Sequence, residues 1–190
     1  YSSIAIEANK LNPLYVDVNS SGQMSAESLL QELERSHPAA IILTHLYGSV
    51  RSANEIAAIA NKAGIPLIED CAQSHGALLG DTRAGSIGTI GCFSFYPTKN
   101  LGALGDAGAI TTSDASIDKA VRSLRNHGWS TRRYESDRQG AINSRLDELQ
   151  AAVLRCRLPN LDKTNQRRQA IASKYIAAID DDAVTLERVA

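Results

Sequence analysis

Apolar positions along the chain change period several times, and each change predicts an element. From Pro13 to Val18 apolar and polar residues alternate (Pro-Leu-Tyr-Val-Asp-Val), which suits a strand. At Ser25 the spacing lengthens to a helical one, with Glu27 in the first turn and Leu29, Leu30 and Leu33 on one face. Ala39 to Thr44 is an apolar run between Pro38 and His45, the pattern of a strand covered on both sides. Ser52-Ala53-Asn54-Glu55 has the form of a capping box ahead of a helix. That helix carries Ile56, Ile59 and Ala60 as its stripe and stops at Gly64. Short strands are predicted over 66–69, 91–96 and 108–112, and helices over 114–126, 146–158 and 161–179. Pro159-Asn160 divides the last two with a kink or tight turn. Strands alternating with helices at this interval predict an α/β fold whose sheet is at least partly parallel.

Composition narrows the classes. The chain has 190 residues, 43% hydrophobic and 22% charged, enough for one sizeable core or one large domain with the start of another. A formal net charge of −1 gives no electrostatic case for nucleic acid or an acidic membrane as partner. The longest purely apolar run, Ala39 to Leu43, is far too short to cross a bilayer, and the N-terminus has no secretory pattern. Cys71, Cys92 and Cys156 are odd in number and lack metal-type spacing, so they read as reduced, buried thiols of a cytosolic protein. Because the sequence starts at Tyr1 without methionine and runs to Ala190 without an obvious stop, it is expected to be an excerpt of a longer polypeptide.

Candidate chemistry gathers at two places. Glu69 and Asp70 end a buried strand, and in open α/β sheets ligands bind at the carboxyl ends of strands. Asp70 is therefore the expected ligand-contacting acid, the alternative being that either carboxylate caps the next segment. Gln73 follows with a donor and an acceptor, and His75 is expected to be a hydrogen-bonded structural residue. The glycines at 76, 80, 85, 88 and 91 are too irregular for a dinucleotide fingerprint or a P-loop. The second place is Lys99, in a turn after the apolar stretch from Cys92 to Tyr96 and ahead of Gly102, Gly105 and Gly108. Partial desolvation there lowers an amine's pKa and makes it a nucleophile for a carbonyl. An acid at a strand end followed by Ser94 and Lys99 as Ser-x-x-x-x-Lys is what pyridoxal phosphate chemistry requires. The lysine forms a Schiff base, the acid pairs with the pyridinium nitrogen, and the hydroxyl binds the phosphate.

Ile68-Glu69-Asp70-Cys71-Ala72-Gln73-Ser74-His75-Gly76-Ala77 and the stretch from Cys92 to Gly102 resemble the two signature segments of the DegT/DnrJ/EryC1/StrS sugar aminotransferases. Thr44-His45-Leu46-Tyr47-Gly48, the stretch from Gly105 to Ile110, Arg125-Asn126-His127-Gly128 and the stretch from Asn143 to Ala152 agree in the same order. The resemblance implies a mixed, mostly parallel sheet flanked by helices, the central portion of the large pyridoxal-phosphate domain of a fold type I aminotransferase. Residues 1–160 would belong to that domain, and 161–190 would be a helix leading toward a smaller C-terminal domain absent from the chain. It further implies that Lys99 forms the internal aldimine and moves the proton, Asp70 contacts the pyridine nitrogen, Gln73 lies against the ring and its oxygen, and Ser94 binds the phosphate. Asn143 would reach the phosphate in a neighbouring subunit, making a homodimer with shared active sites; read alone, Asn143 also suits a helix cap ahead of Leu146. The implied substrate is a nucleotide-linked keto sugar, with glutamate or glutamine as amino donor and a slight lean to amination at C3. Ala107 departs from a more usual glycine, and the phosphate loop and stacking aromatic of such enzymes would precede Tyr1. Two other readings are a cofactor-binding regulatory or sensor protein without turnover, and a purely structural α/β domain.

Overall fold

The computed structural model describes residues 2–129, 135–136 and 140–179. Its elements are α1 (Ser2–Ala8), α2 (Ala26–Arg35), β1 (Ile41–Thr44), α3 (Ala53–Ala63), β2 (Leu67–Asp70), β3 (Leu78–Leu79), β4 (Thr82–Arg83), β5 (Ile90–Ser94), β6 (Gly108–Thr111), α4 (Ala115–Leu124), α5 (Glu148–Arg157) and α6 (Leu161–Ala178). The central sheet runs in the order β1-β2-β5-β6, with β1, β2 and β5 parallel and β6 antiparallel to β5. This is the mixed, mostly parallel sheet expected from the sequence. β3 and β4 form a separate small hairpin that the sequence pattern did not signal.

Local chemistry sets most boundaries. The Ser25 side chain caps α2 by accepting from the Ser28 N–H at 3.2 Å. Asp114 caps α4 through the N–H groups of Ser116 and Ile117. Gly64, left-handed at φ 68°, ends α3 as expected. Three expectations are corrected. Ser52 precedes α3 but makes no side-chain cap bond, because its backbone is already in the right-handed helical region (φ −81°, ψ −6°) rather than extended. The alternating stretch from Pro13 to Val18 is not a strand; among the described residues only Val18 pairs, in an isolated bridge to Met24, so the alternation has no partner strand to cover it. Asn143 does not cap α5: Asp147 does, accepting from the Gln150 N–H at 2.8 Å. The chain near its start, at Ser2–Ala8, is helical.

Two apolar clusters hold the elements together. In the larger, Ile41 and Leu43 of β1 and Leu67 of β2 pack on Ala53, Ile56 and Ala60 of α3, with Leu29 of α2 beside them. The smaller joins Leu101 and Ala103 of the loop after β5 to Leu154 of α5 and Leu161 of α6. Period-two alternation in β2 sends Leu67 and Glu69 into the larger cluster and leaves Ile68 and Asp70 half-buried on the opposite face.

A carboxylate in an apolar cluster must be fully paired. Glu69 is completely buried, and its oxygens accept from His45 Nε2 at 2.9 Å, Gly85 N–H at 2.9 Å, Ile87 N–H at 2.8 Å and Gly88 N–H at 2.7 Å. Two of the irregular glycines, Gly85 and Gly88, thus serve this cradle. Gly85, at φ +85°, is strained for any other residue, and a Cβ there would lie 2.5 Å from the Phe93 ring, which would have to shift. Burial raises the Glu69 pKa, but the bonds from His45, Gly88, Gly85 and Ile87 together outweigh it and hold the group below its ordinary value of 4.5. A carboxyl whose folded pKa is depressed adds stability that is complete above the unfolded value and is lost as pH falls through the folded one. Melting temperature should therefore fall as pH drops below about 4.5, and Glu69→Gln should flatten that dependence. Glu69→Ala strands the buried donors and should cost about 3–5 kcal/mol in chemical denaturation of the intact protein. A Glu69→Ala protein as stable as the parent would contradict the assignment.

Candidate functional site

Asp70 and Ser94 end neighbouring parallel strands. Asp70 is level with Cys92 in the β2–β5 register, so Ser94 lies two residues further along the same edge. That edge is formed by the carboxyl ends of the strands, where an open α/β sheet binds its ligand. The Asp70 carboxylate is fixed from two sides: Ser2 Oγ of α1 donates to Oδ2 at 2.8 Å, and the Ala72 N–H donates to Oδ1 at 3.1 Å. The second bond is the local cap-like contact weighed from the sequence, and it leaves the carboxylate at the strand edge.

Lys99 rides on a loop closed at its neck. The Ala103 N–H donates to the Phe95 carbonyl at 2.7 Å, and the Phe95 N–H donates to the Ala107 carbonyl at 2.7 Å. Inside the loop the Lys99 N–H donates to the Tyr96 carbonyl at 2.9 Å, and the Tyr96 N–H donates to Ser94 Oγ at 3.3 Å. Gly102 lets the loop double back, since a Cβ there would lie 2.6 Å from the Pro97 carbonyl oxygen. Lys99 is half-buried, and among the described residues its ammonium has neither hydrogen-bond nor ion-pair partner.

Gln73 is oriented by an unusual backbone. Tyr47 is left-handed at φ 57°, and its N–H donates to Gln73 Oε1 at 2.7 Å. With the oxygen engaged, the Gln73 NH2 is the end left to donate to a ligand. His75 lies between the strand end and the lysine. Its Nε2–H donates to the Ser94 carbonyl at 2.8 Å, and its ring packs between Phe93 and Phe95 at centroid distances of 5.7 and 5.8 Å. Burial lowers its pKa and the Lys99 charge lowers it further, against the Ser94 carbonyl, so His75 is neutral at pH 7.

Asp70, Gln73, Ser94 and Lys99 therefore share one edge of the sheet. Asn143 is not brought to them by any hydrogen bond among the described residues. It is exposed, accepts from Arg145 Nε at 2.9 Å and pairs with Asn126 beyond the end of α4. The donor set suits pyridoxal phosphate. It offers a fixed carboxylate for the ring nitrogen, a free NH2 for a ring oxygen, a hydroxyl for a phosphate and an amine without a competing anion.

Comparison with known proteins agrees in kind. A profile for the DegT/DnrJ/EryC1/StrS aminotransferase family matches residues 2–188. The chain is 45% identical, over 99% of its length and 51% of the relative, to the dTDP-3-amino-3,6-dideoxy-alpha-D-galactopyranose transaminase of Aneurinibacillus thermoaerophilus. It is 44% identical, over 86% of its length and 44% of the relative, to the UDP-N-acetyl-3-dehydro-alpha-D-glucosamine 3-aminotransferase of Acidithiobacillus ferrooxidans. Among solved structures it superposes on DesV of S. venezuelae, crystallised with a ketimine intermediate, with a TM-score of 0.84 and 39% identity, covering 93% of this chain and 47% of that one. The chain thus spans about half the length of the relatives it matches.

Sequence reasoning gave no role to the supporting residues Ser2, His45 and Tyr47, since each acts through a tertiary contact, although His45 and Tyr47 stand in the 44–48 stretch that resembles the family. Of the three thiols expected to be buried, Cys71 is, Cys92 is half-buried and Cys156 is exposed, because α5 buries Leu154 and turns Cys156 outward. Burial pushes the Cys71 thiol up to about 12, with the Glu69 charge adding to it, and burial likewise raises Cys92, so neither is a nucleophile at neutral pH. A thiol reagent at pH 8 should leave Cys71 unmodified in the native protein and modify it on unfolding. Rapid native labelling of Cys71, read by peptide mass spectrometry, would contradict this packing.

Proposed function

The chain belongs to the DegT/DnrJ/EryC1/StrS aminotransferase family, and we propose that it forms the cofactor-binding part of an aminotransferase that converts a nucleotide-linked keto sugar into an amino sugar. The observation that carries the proposal is Lys99, without a partner among the described residues, on its neck-closed loop at the sheet edge that also holds Asp70, Gln73 and Ser94. Pyridoxal phosphate, when bound, supplies an aldehyde that captures an amine and a ring that accepts the electron pair released by deprotonation. Lys99 Nζ would hold the cofactor through its aldehyde and, once freed by the donor amine, would serve as the base for the proton on the donor α-carbon. The Asp70 carboxylate, anchored by Ser2 and Ala72, would accept from the protonated ring nitrogen. Gln73 would offer its free NH2 to the ring oxygen, and Ser94 Oγ would offer its hydroxyl to the phosphate.

Further parts of the reading rest on the relatives. Two are named for sugars carrying nitrogen at C3, which favours that carbon here. Glutamate or glutamine is the proposed donor, and the working unit a homodimer in which Asn143 of one protomer reaches the phosphate bound by its partner. An exposed Asn143, remote in hydrogen bonding from the other four residues, is consistent with that service to a second copy. Residues 1–160 are assigned to the large domain and 161–190 to the path toward a smaller one. No helix among the described residues is long and apolar enough to cross a membrane, and we place the enzyme in the cytoplasm.

The intact protein mixed with pyridoxal phosphate should show a visible absorbance band that Lys99→Ala abolishes. Glutamate should bleach the parent's band, which separates an enzyme from a sensor that binds without turnover. Asp70→Asn should lower turnover about 10²-fold or more while leaving the band. Survival of the band in Lys99→Ala would sink the lysine assignment.

A further inference from the structure

Three side chains from α5 and α6 reach the loop that carries Lys99. Asn165 Oδ1 accepts from Asn100 Nδ2 at 3.1 Å, Arg157 Nη1 donates to the Gly102 carbonyl at 2.6 Å, and Gln150 Oε1 accepts from the Leu104 N–H at 2.8 Å. Of these three, Asn165 also holds the other half of the site, because its Nδ2 donates to the His75 carbonyl at 2.8 Å. The His75 ring then donates to the Ser94 carbonyl at 2.8 Å. One path of hydrogen bonds therefore runs from the residue after Lys99, through Asn165 and His75, to Ser94.

We propose that Asn165 is a positioning residue for Lys99: its amide, accepting on one side and donating on the other, fixes the lysine loop against the segment that carries Asp70 and Gln73. This rests on the reading of Lys99 as the cofactor-bearing amine. An amide suits the task because it offers both an acceptor and a donor, whereas a carboxylate at this position would only accept. The helix does not depend on Asn165 to dock. Leu161, one turn earlier, is buried against Leu101, Ala103 and Leu154, and Asp162 Oδ2 pairs with Arg83 Nη2 at 3.4 Å. Loss of the amide thus loosens the lysine loop while the helix stays in place. A displacement of about 1 Å at a reacting group costs up to about 10²-fold in rate, so a small loosening is measurable.

The test uses the intact protein and the variants Asn165→Ala, Asn165→Asp and Asn100→Ala, with Lys99→Ala as reference. Cofactor is removed, pyridoxal phosphate is added back, and the rate of return of the Lys99-dependent band is followed. The pH midpoint of that band and the kcat and KM for the amino donor are measured alongside. Both Asn165 variants should slow the return about tenfold or more, displace the midpoint and lower kcat, with KM nearly unchanged. Asn100→Ala should show a weaker form of the same effect, and Asn100→Ala with Asn165→Ala should be no worse than Asn165→Ala alone. Melting temperatures should stay close to the parent's. Parental return rate and midpoint in Asn165→Ala, or losses that merely follow a fall in melting temperature, would overturn the proposal. If Asn165→Ala fails to fold, Asn165→Asp and Asn100→Ala decide between the same outcomes. A parent whose band survives Lys99→Ala instead refutes the underlying lysine assignment, and the proposal with it.

Discussion

The Glu69 carboxylate, sealed in the apolar cluster between the sheet and α3, is the constraint on which the rest of the structure depends. A bare carboxylate there would be prohibitively costly, so the chain must deliver donors to it. It does so from two directions: His45 comes from the end of β1, and the N–H groups of 85, 87 and 88 come from the approach to β5. The strands on both sides of β2 are thereby tied to its end. That fixes where Asp70 and Ser94 stand relative to each other, because both project from strands whose register the Glu69 cradle helps to set.

The lysine belongs to a different part of the fold. Its loop packs through Leu101 and Ala103 on Leu154 and Leu161, from helices that lie some fifty residues later in the chain. The site therefore arises where two separately stabilised units meet: a strand edge built around a buried anion and a loop held by a helix pair. Gln150 and Arg157 tie the loop to its helix, and the Asn165 amide makes the junction with the strand-edge segment at His75. Hydrogen bonds of this kind fix distance more sharply than apolar contact does, because they weaken steeply outside a narrow geometry.

Much of this was legible in the sequence, and the limits have physical causes. Ser25, Gly64 and Asp114 mark helix ends through contacts within a few residues, and a local signal can be read locally. Asp70, Gln73, Ser94 and Lys99 stand out in the sequence because acid, amide, hydroxyl and amine follow in an order that one cofactor needs, and the fold sets them along one sheet edge. The alternation from Pro13 to Val18 misled, since period two says which residues share a face but not whether a neighbour strand exists. Ser52-Ala53-Asn54-Glu55 has the letters of a capping box without the extended backbone that would let Ser52 cap. Glu69 was weighed as a cap, and its true partners sit sixteen or more residues away, beyond the reach of any local pattern. Asn165 lies in the helix predicted over 161–179, and nothing in its neighbours announces the contact with His75.

The adjacent carboxylates show how one short strand serves both purposes. Alternation along β2 places Glu69 and Asp70 on opposite faces, so two anions one residue apart need not share an environment. Glu69 spends its lone pairs on three backbone amides and a histidine, which disperses its charge within the protein. Asp70 keeps its place at the sheet edge on two hydrogen bonds, from Ser2 and Ala72, and retains acceptor capacity for a ligand. On the other side of the edge, burial and the Lys99 charge keep His75 neutral, so no second cation competes with the lysine for the same space. Asp70 and Lys99 then offer an acid and an amine at that edge, the pairing a protonated ring nitrogen and a carbonyl would require. The Glu69 charge is held inside its cradle of donors and His75 is neutral, which leaves the Asp70 and Lys99 side chains with bonding capacity at the sheet edge.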